Sequence, residues 1–164
     1  MFRERWGYLL LIFLVLAVLL YPLTALEVRD EKTGKVIIRR KVSSGDTFEF
    51  RYIHSVEKVP VTGFFMITPG RMIKPTETQF PSYGAGLPSA GDEVKLQKDR
   101  LIATPRSQEM EKFSFFVSPF TQPSLVFKNE RFDFSSLKEG KVITIEVKRY
   151  PIGGMLIPHG RSGH

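Results

Sequence analysis

Residues 6–26 carry no charged side chain, and this run limits what the chain can fold into more than any other feature. It reads Trp6-Gly7-Tyr8, a wholly apolar stretch over residues 9–20, and then Tyr21-Pro22-Leu23-Thr24-Ala25-Leu26. At about 1.5 Å per residue, a helix of this length crosses a hydrocarbon core about 30 Å thick. Lipid offers the backbone no hydrogen bonds, so a lone segment within it has to be helical. Trp6, Tyr8 and Tyr21 fall near the two interfaces, where amphipathic rings settle. Pro22 lies near the far end, where a helix can stop. Arg3 and Arg5 precede the run, while Glu27, Asp30 and Glu31 follow it. The positive-inside bias then puts Met1 in the cytoplasm and the rest outside it. Residues 1–26 are expected to be a single transmembrane anchor in the cytoplasmic membrane. A cleaved signal peptide is the competing reading, since the charged start and apolar centre suit one. A cut after Ala25 would put Leu23 three positions upstream, where a small residue is needed. Either way the main domain, residues 27–150, is expected beyond the cytoplasmic membrane.

That domain is long enough for one real core. The sequence has no cysteine, so no disulfide staples the fold and no thiol chemistry is open to it. The formal charge is +7. The cations are scattered, and Arg39-Arg40-Lys41 and Lys148-Arg149 are the nearest thing to patches. Nucleic-acid binding needs a basic stripe with a reading element, and neither is present. Attraction to anionic lipid headgroups is the simpler use of such patches, at about 1 kcal/mol for each nearby cation.

Past the anchor the pattern is that of strands. Leu26-Glu27-Val28-Arg29 alternates apolar and polar, Glu31-Lys32-Thr33-Gly34 signals a turn, and Val36-Ile37-Ile38 opens a partner strand. Ser43-Ser44-Gly45-Asp46 breaks the chain. Residues 47–54 then place Phe48, Phe50, Tyr52 and His54 on one face, with Glu49, Arg51 and Ile53 on the other. Residues 59–68 form a strand with Val61, Phe65 and Ile67 in phase, and residues 72–80 are extended after the turn at Pro69-Gly70. Leu101-Ile102-Ala103, residues 112–117 and residues 124–127 are further strands. Residues 141–150 alternate Val142, Thr144, Glu146 and Lys148 against Ile143, Ile145 and Val147. The tail, residues 151–164, with Pro158, Gly160 and Gly163, is expected to be flexible. Short strands between turn signals make the fold all-β: an antiparallel β-sandwich or barrel-like domain after one N-terminal helix.

Two segments hold the groups that chemistry or binding would use. Tyr52-Ile53-His54-Ser55-Val56-Glu57-Lys58-Val59-Pro60 joins two strands and gathers an imidazole, a hydroxyl, a carboxylate and an ammonium. A small envelope hydrolase working through His54 and Glu57 is one reading. Neighbours on a strand point to opposite faces, however, so His54 does not serve Ser55 as a base while the chain is extended. No Gly-x-Ser-x-Gly turn is present. His54, His159 and His164 do not make a zinc set, and Glu57, Glu77, Asp92 and Glu93 do not fall in a calcium loop. The second segment is Glu77-Thr78-Gln79-Phe80-Pro81-Ser82-Tyr83-Gly84-Ala85-Gly86-Leu87-Pro88. Its glycines permit left-handed backbone or close approach, and Pro88 denies the following helix that a phosphate cradle needs. It reads as a surface loop or a docking loop.

Together the two segments resemble a family of small bacterial and archaeal envelope proteins, the domain of unknown function family 1850. Its members are often encoded beside tripartite TRAP transporters of the TAXI type, which pair a soluble solute receptor with membrane subunits. The resemblance covers most of residues 27–150. The family often has an acid shortly after the Pro-Val pair; Thr62 and Gly63 stand there in this chain, so no role for that acid carries over. The resemblance supplies no catalytic residues or cofactor, and implies an accessory role near a transporter. The expected partner surface is Tyr52, His54, Ser55, Glu57, Lys58 and Pro60 with Glu77, Tyr83, Gly84, Gly86, Leu87 and Pro88. The expected partners are the transporter's membrane subunits or its solute receptor, with lipid around residues 6–26.

Overall fold

The computed structural model describes residues 2–84, 87–88, 92–106, 109–137 and 139–152, with side chains from residue 6 onward. Among the described residues a helix α1 (Phe2–Leu20) is followed by eleven strands: β1 (Pro22–Asp30), β2 (Val36–Lys41), β3 (Thr47–Ile53), β4 (Pro60–Ile67), β5 (Ile73–Phe80), β6 (Glu93–Gln97), β7 (Arg100–Thr104), β8 (Lys112–Phe116), β9 (Ser124–Phe127), β10 (Glu130–Asp133) and β11 (Val142–Pro151). They form two antiparallel sheets, one ordered β2-β1-β11-β8 and one ordered β10-β9-β3-β4-β5-β7-β6.

Alternation builds the core. Leu26 and Val28 of β1 and Ile143 and Ile145 of β11 face Phe48 and Phe50 of β3 and Leu125 and Phe127 of β9. Aromatic rings lock the layers: Phe113 of β8 lies 5.6 Å from Phe50 and 5.0 Å from Phe65, and Phe115 lies 4.9 Å from Phe50 and 5.1 Å from Tyr52. Gly63 makes room for this stack, because a Cβ there would meet the Phe65 ring at 2.9 Å. The sheets do not close into a barrel. At one edge Arg40 of β2 reaches across instead, pairing with Glu130 at 2.9 Å and covering the Phe132 ring at 4.8 Å.

The single helix expected across residues 6–26 is not what forms. The helix stops at Leu20, and β1 begins at Pro22. From Trp6 to Leu20 the helical rise is about 22 Å, and among the described residues no helix is long and apolar enough to cross a membrane. Pro22 cannot continue a helix. Residues 22–26 instead pair with β11, Pro22 opposite Pro151 and Leu26 opposite Val147, and this buries Ala25 and Leu26. The β domain therefore starts five residues earlier than the apolar run suggests. At the other end β11 continues through Pro151, and residues 153–164 lie outside those described. Two strands have no clear sequence signal, β6 and β10. Each is joined to its neighbour by a two-residue turn with left-handed backbone, Lys98-Asp99 and Lys128-Asn129, the conformation that matches strand twist in tight hairpins.

Because Phe113 and Phe115 follow Phe48, Phe50 and Tyr52 in the same order, β8 and β3 run the same way. Strand β1 is antiparallel to β11, which is antiparallel to β8. The helix therefore joins one end of the domain, and the connection after β3 lies at the opposite end.

Candidate functional site

At that opposite end three connections converge. Residues 54–59 form a tight turn: the His54 N–H donates to the Val59 carbonyl at 2.8 Å, and Lys58, with φ of 57°, donates its N–H to the His54 carbonyl at 2.9 Å. His54 is half-buried, and its Nδ1 accepts the backbone N–H of Glu57 at 3.2 Å. The imidazole thus supports the turn itself. The Ile53 N–H donates to the Thr121 carbonyl at 2.7 Å, and the Lys58 ammonium sits 5.1 Å from the Phe120 ring centre. These two contacts fasten the turn to residues 118–123.

The third connection follows β5. Gly84 and Leu87 exchange backbone hydrogen bonds of 3.1 Å, and the Leu87–Pro88 peptide is cis. Leu87 packs on a small second core of Val61, Phe80, Leu101 and Ala103. The Glu57 side chain lies against Gly84, so that a Cβ at Gly84 would fall 2.5 Å from the Glu57 Cγ. This contact joins the two segments singled out in the sequence. Ser55, Lys58, Pro60 and Tyr83 are exposed there. Val56, Tyr83 and Phe120 remain about two-thirds exposed, a notable cost for large apolar side chains in water.

Not every expected residue reaches this surface. Tyr52 points inward against Phe50 and Phe115, and burial pushes its hydroxyl above the usual phenol value. Glu77 lies on the outer face of the seven-stranded sheet and accepts the Gln79 amide at 2.6 Å. Gly86 lies outside the described residues. Among the described residues no three metal-ligating side chains come close enough to share an ion.

Two further features escaped the sequence reading. The first is a carboxylate clamp on the outer face of the four-stranded sheet. Glu27 is fully buried there. Its Oε2 accepts Arg29 at 2.6 Å and the Tyr150 hydroxyl at 2.7 Å, and its Oε1 accepts Arg39 at 2.8 Å. Arg39 also lies 4.0 Å over the Tyr150 ring. Burial alone would raise the Glu27 pKa, but the bonds from Tyr150, Arg29 and Arg39 outweigh it and hold the carboxyl below its usual value. Burial and the same carboxylate push the Tyr150 hydroxyl up. The hint in the sequence was that Glu27 and Arg39 fall on outward positions of paired strands; the pairing itself was needed to see them meet.

The second feature is a groove of about 620 Å³ on the outer face of the seven-stranded sheet. Register aligns Ser124, Arg51, Thr62, Gln79 and Ile102 in one row across β9, β3, β4, β5 and β7. The row beside it holds Arg131, Glu49 and Phe64. Arg51 pairs with Glu49 at 2.5 Å. Asp133 is held below its usual pKa first by the Ser135 side chain and N–H, with the charge of Arg131 helping. Ser124 is fully buried, and its hydroxyl has no hydrogen-bond partner among the described residues. An unmet buried hydroxyl costs about 1–3 kcal/mol.

Fold and site together define an antiparallel two-sheet β domain with a cluster of loops at the end remote from its N-terminal helix. No curated protein and no solved structure matches the chain. Residues 48–134, more than half of it, match the model of the family described as Domain of unknown function (DUF1850), and the chain belongs to that family.

Proposed function

We propose that this chain is an accessory, partner-binding protein of a TAXI-type TRAP solute transporter, attached to the cytoplasmic membrane through its N-terminal segment with the β domain outside the cytoplasm. The loop cluster is the surface offered to the transporter's membrane subunits or solute receptor. One observation carries the reading: two segments far apart in sequence are held together, Glu57 on Gly84, beside exposed Val56, Tyr83 and Phe120, at the end opposite the helix. The helix supports attachment. Its side chains from Trp6 to Leu20 are apolar on every side and exposed, so water is a poor medium for all of its faces and a one-sided surface helix is a poor description. A tagged full-length chain, crosslinked in its native membranes, is expected to retrieve transporter subunits or receptor. A Tyr83→Ala, Val56→Asp variant is expected to retrieve less. An expressed, intact chain that retrieves neither class overturns the proposal.

A second reading is a structural module that lies against lipid. Lys41, Lys74 and Lys112 fall at strand ends and Arg71 in the turn between β4 and β5, all on the helix side of the domain, where anionic headgroups would attract them by about 1 kcal/mol each. Salt-sensitive flotation with anionic vesicles, lost when these four are replaced by glutamine, is its expected mark. Flotation indifferent to salt removes it.

A further inference from the structure

We infer that the outer groove of the seven-stranded sheet is a binding site for a small organic carboxylate with an apolar body. Arg51, Arg100 and Arg131 come from β3, β7 and β10 and border one cavity of about 620 Å³, a size suited to a metabolite-like ligand. Arg51 already has Glu49 at 2.5 Å. Arg100 and Arg131 make no ion pair within 4.0 Å among the described residues, although the field of Asp133 reaches Arg131. A guanidinium offers a planar fork of donors that fits a carboxylate in two parallel bonds.

The floor supplies the second, independent observation. Ser124 is fully buried, lines this cavity, and has a hydroxyl with no partner among the described residues. Such groups in folded proteins are uncommon and call for a reason. Its register partner is Arg51, so the two residues share one row of the groove floor. Beside them Phe64 gives the groove an apolar wall, and Gln79 gives a neutral amide. The acids decide the ligand class. Glu49 and Asp99 also border the cavity, and they would repel a dianion such as phosphate more than a singly charged, planar carboxylate. This inference does not rest on the transporter reading, because binding is measured on the chain alone.

The test uses the full-length chain in detergent micelles. Binding is followed by chemical shifts of backbone amides in β3, β4 and β9 during titration with benzoate, its neutral isostere benzamide, and inorganic phosphate. Saturable binding of benzoate at millimolar concentration is expected, with benzamide and phosphate each at least about tenfold weaker. The double variant Arg100→Gln, Arg131→Gln is expected to lose about tenfold in benzoate affinity. Ser124→Ala separates a ligand donor from a tolerated defect. It is expected to melt at the same or a higher temperature, because an unmet hydroxyl is gone, and yet to bind benzoate more weakly. The inference is overturned if benzoate fails to saturate, if benzamide or phosphate binds as well, or if the arginine variant or Ser124→Ala leaves benzoate affinity unchanged.

Discussion

Cutting the chain at two nearby points tests whether the end of the apolar run belongs to the domain. A fragment beginning at Pro22 keeps all of β1, whereas one beginning at Leu26 loses Pro22, Leu23, Thr24 and Ala25. Those four residues are paired with Pro151, Tyr150, Arg149 and Lys148. The Thr24 carbonyl also accepts the Val42 N–H at 2.9 Å, and Ala25 is fully buried between β11 and β2. Losing about four ladder hydrogen bonds at about 0.5–1.5 kcal/mol each removes about 2–6 kcal/mol. A domain of this size has only about 5–15 kcal/mol in total. The only tryptophan, Trp6, is absent from both fragments, so unfolding in urea should be followed by far-ultraviolet circular dichroism. With a slope of about 2 kcal/mol per molar, the shorter fragment should unfold about 1–3 M earlier. Equal midpoints would refute the placement of residues 22–25 in the sheet. The same result bears on processing: cleavage after Ala25 would cost the mature domain half a strand, and cleavage before Pro22 would not.

Glu27→Ala should cost about 3–5 kcal/mol in urea unfolding, because it leaves Arg29, Arg39 and Tyr150 without their shared acceptor; a loss under about 1 kcal/mol would show that the clamp is not a folding element. Asp30 is held down to about 2, first by its bond from Lys141 at 2.8 Å and then by the Thr33 N–H. A depressed folded pKa means that its stabilisation is complete above pH about 4 and is lost as pH falls toward about 2, a loss of about 2 kcal/mol. Asp30→Asn should flatten that part of the acid unfolding profile, and an unchanged slope would count against the pairing. Gly84→Ala should loosen the loop cluster by pushing on Glu57, and Glu57→Ala should relieve it, with a coupling of about 0.5–3 kcal/mol in a double-mutant cycle. Strict additivity would mean that the two segments do not touch.

Much of the sheet architecture can be read from alternation. Phe48, Phe50 and Tyr52 turn inward and Glu49 and Arg51 outward, as period-two spacing requires, and the same rule gives the Ile143 and Ile145 face. The hairpin across residues 31–35 follows from its turn chemistry. What composition hid is the joint between helix and strand. Leu23, Ala25 and Leu26 are as apolar as a membrane segment and as apolar as a buried strand, and hydropathy cannot separate those environments. The strand pairing with β11 does. β6 and β10 were obscured because Lys98-Asp99 and Lys128-Asn129 lack the glycine that usually marks such turns. The two loop segments were visible as concentrations of polar and aromatic groups, and their meeting through Gly84 was not. The arginine groove was harder still, since Arg51, Arg100 and Arg131, on three strands that are not adjacent, come to line one groove only once seven strands are ordered.

Only Tyr21 stands between the last residue of the helix and the first of β1. A joint of one residue has two soft torsions and no slack, so the domain can tilt about it but cannot move away from it. Whatever medium takes up the helix, the far loops lie no farther from the joint than the length of the strands allows. β11 runs ten residues, about 33 Å of extended chain. Anything that meets those loops has to come within that distance of the joint, because the domain cannot stretch farther.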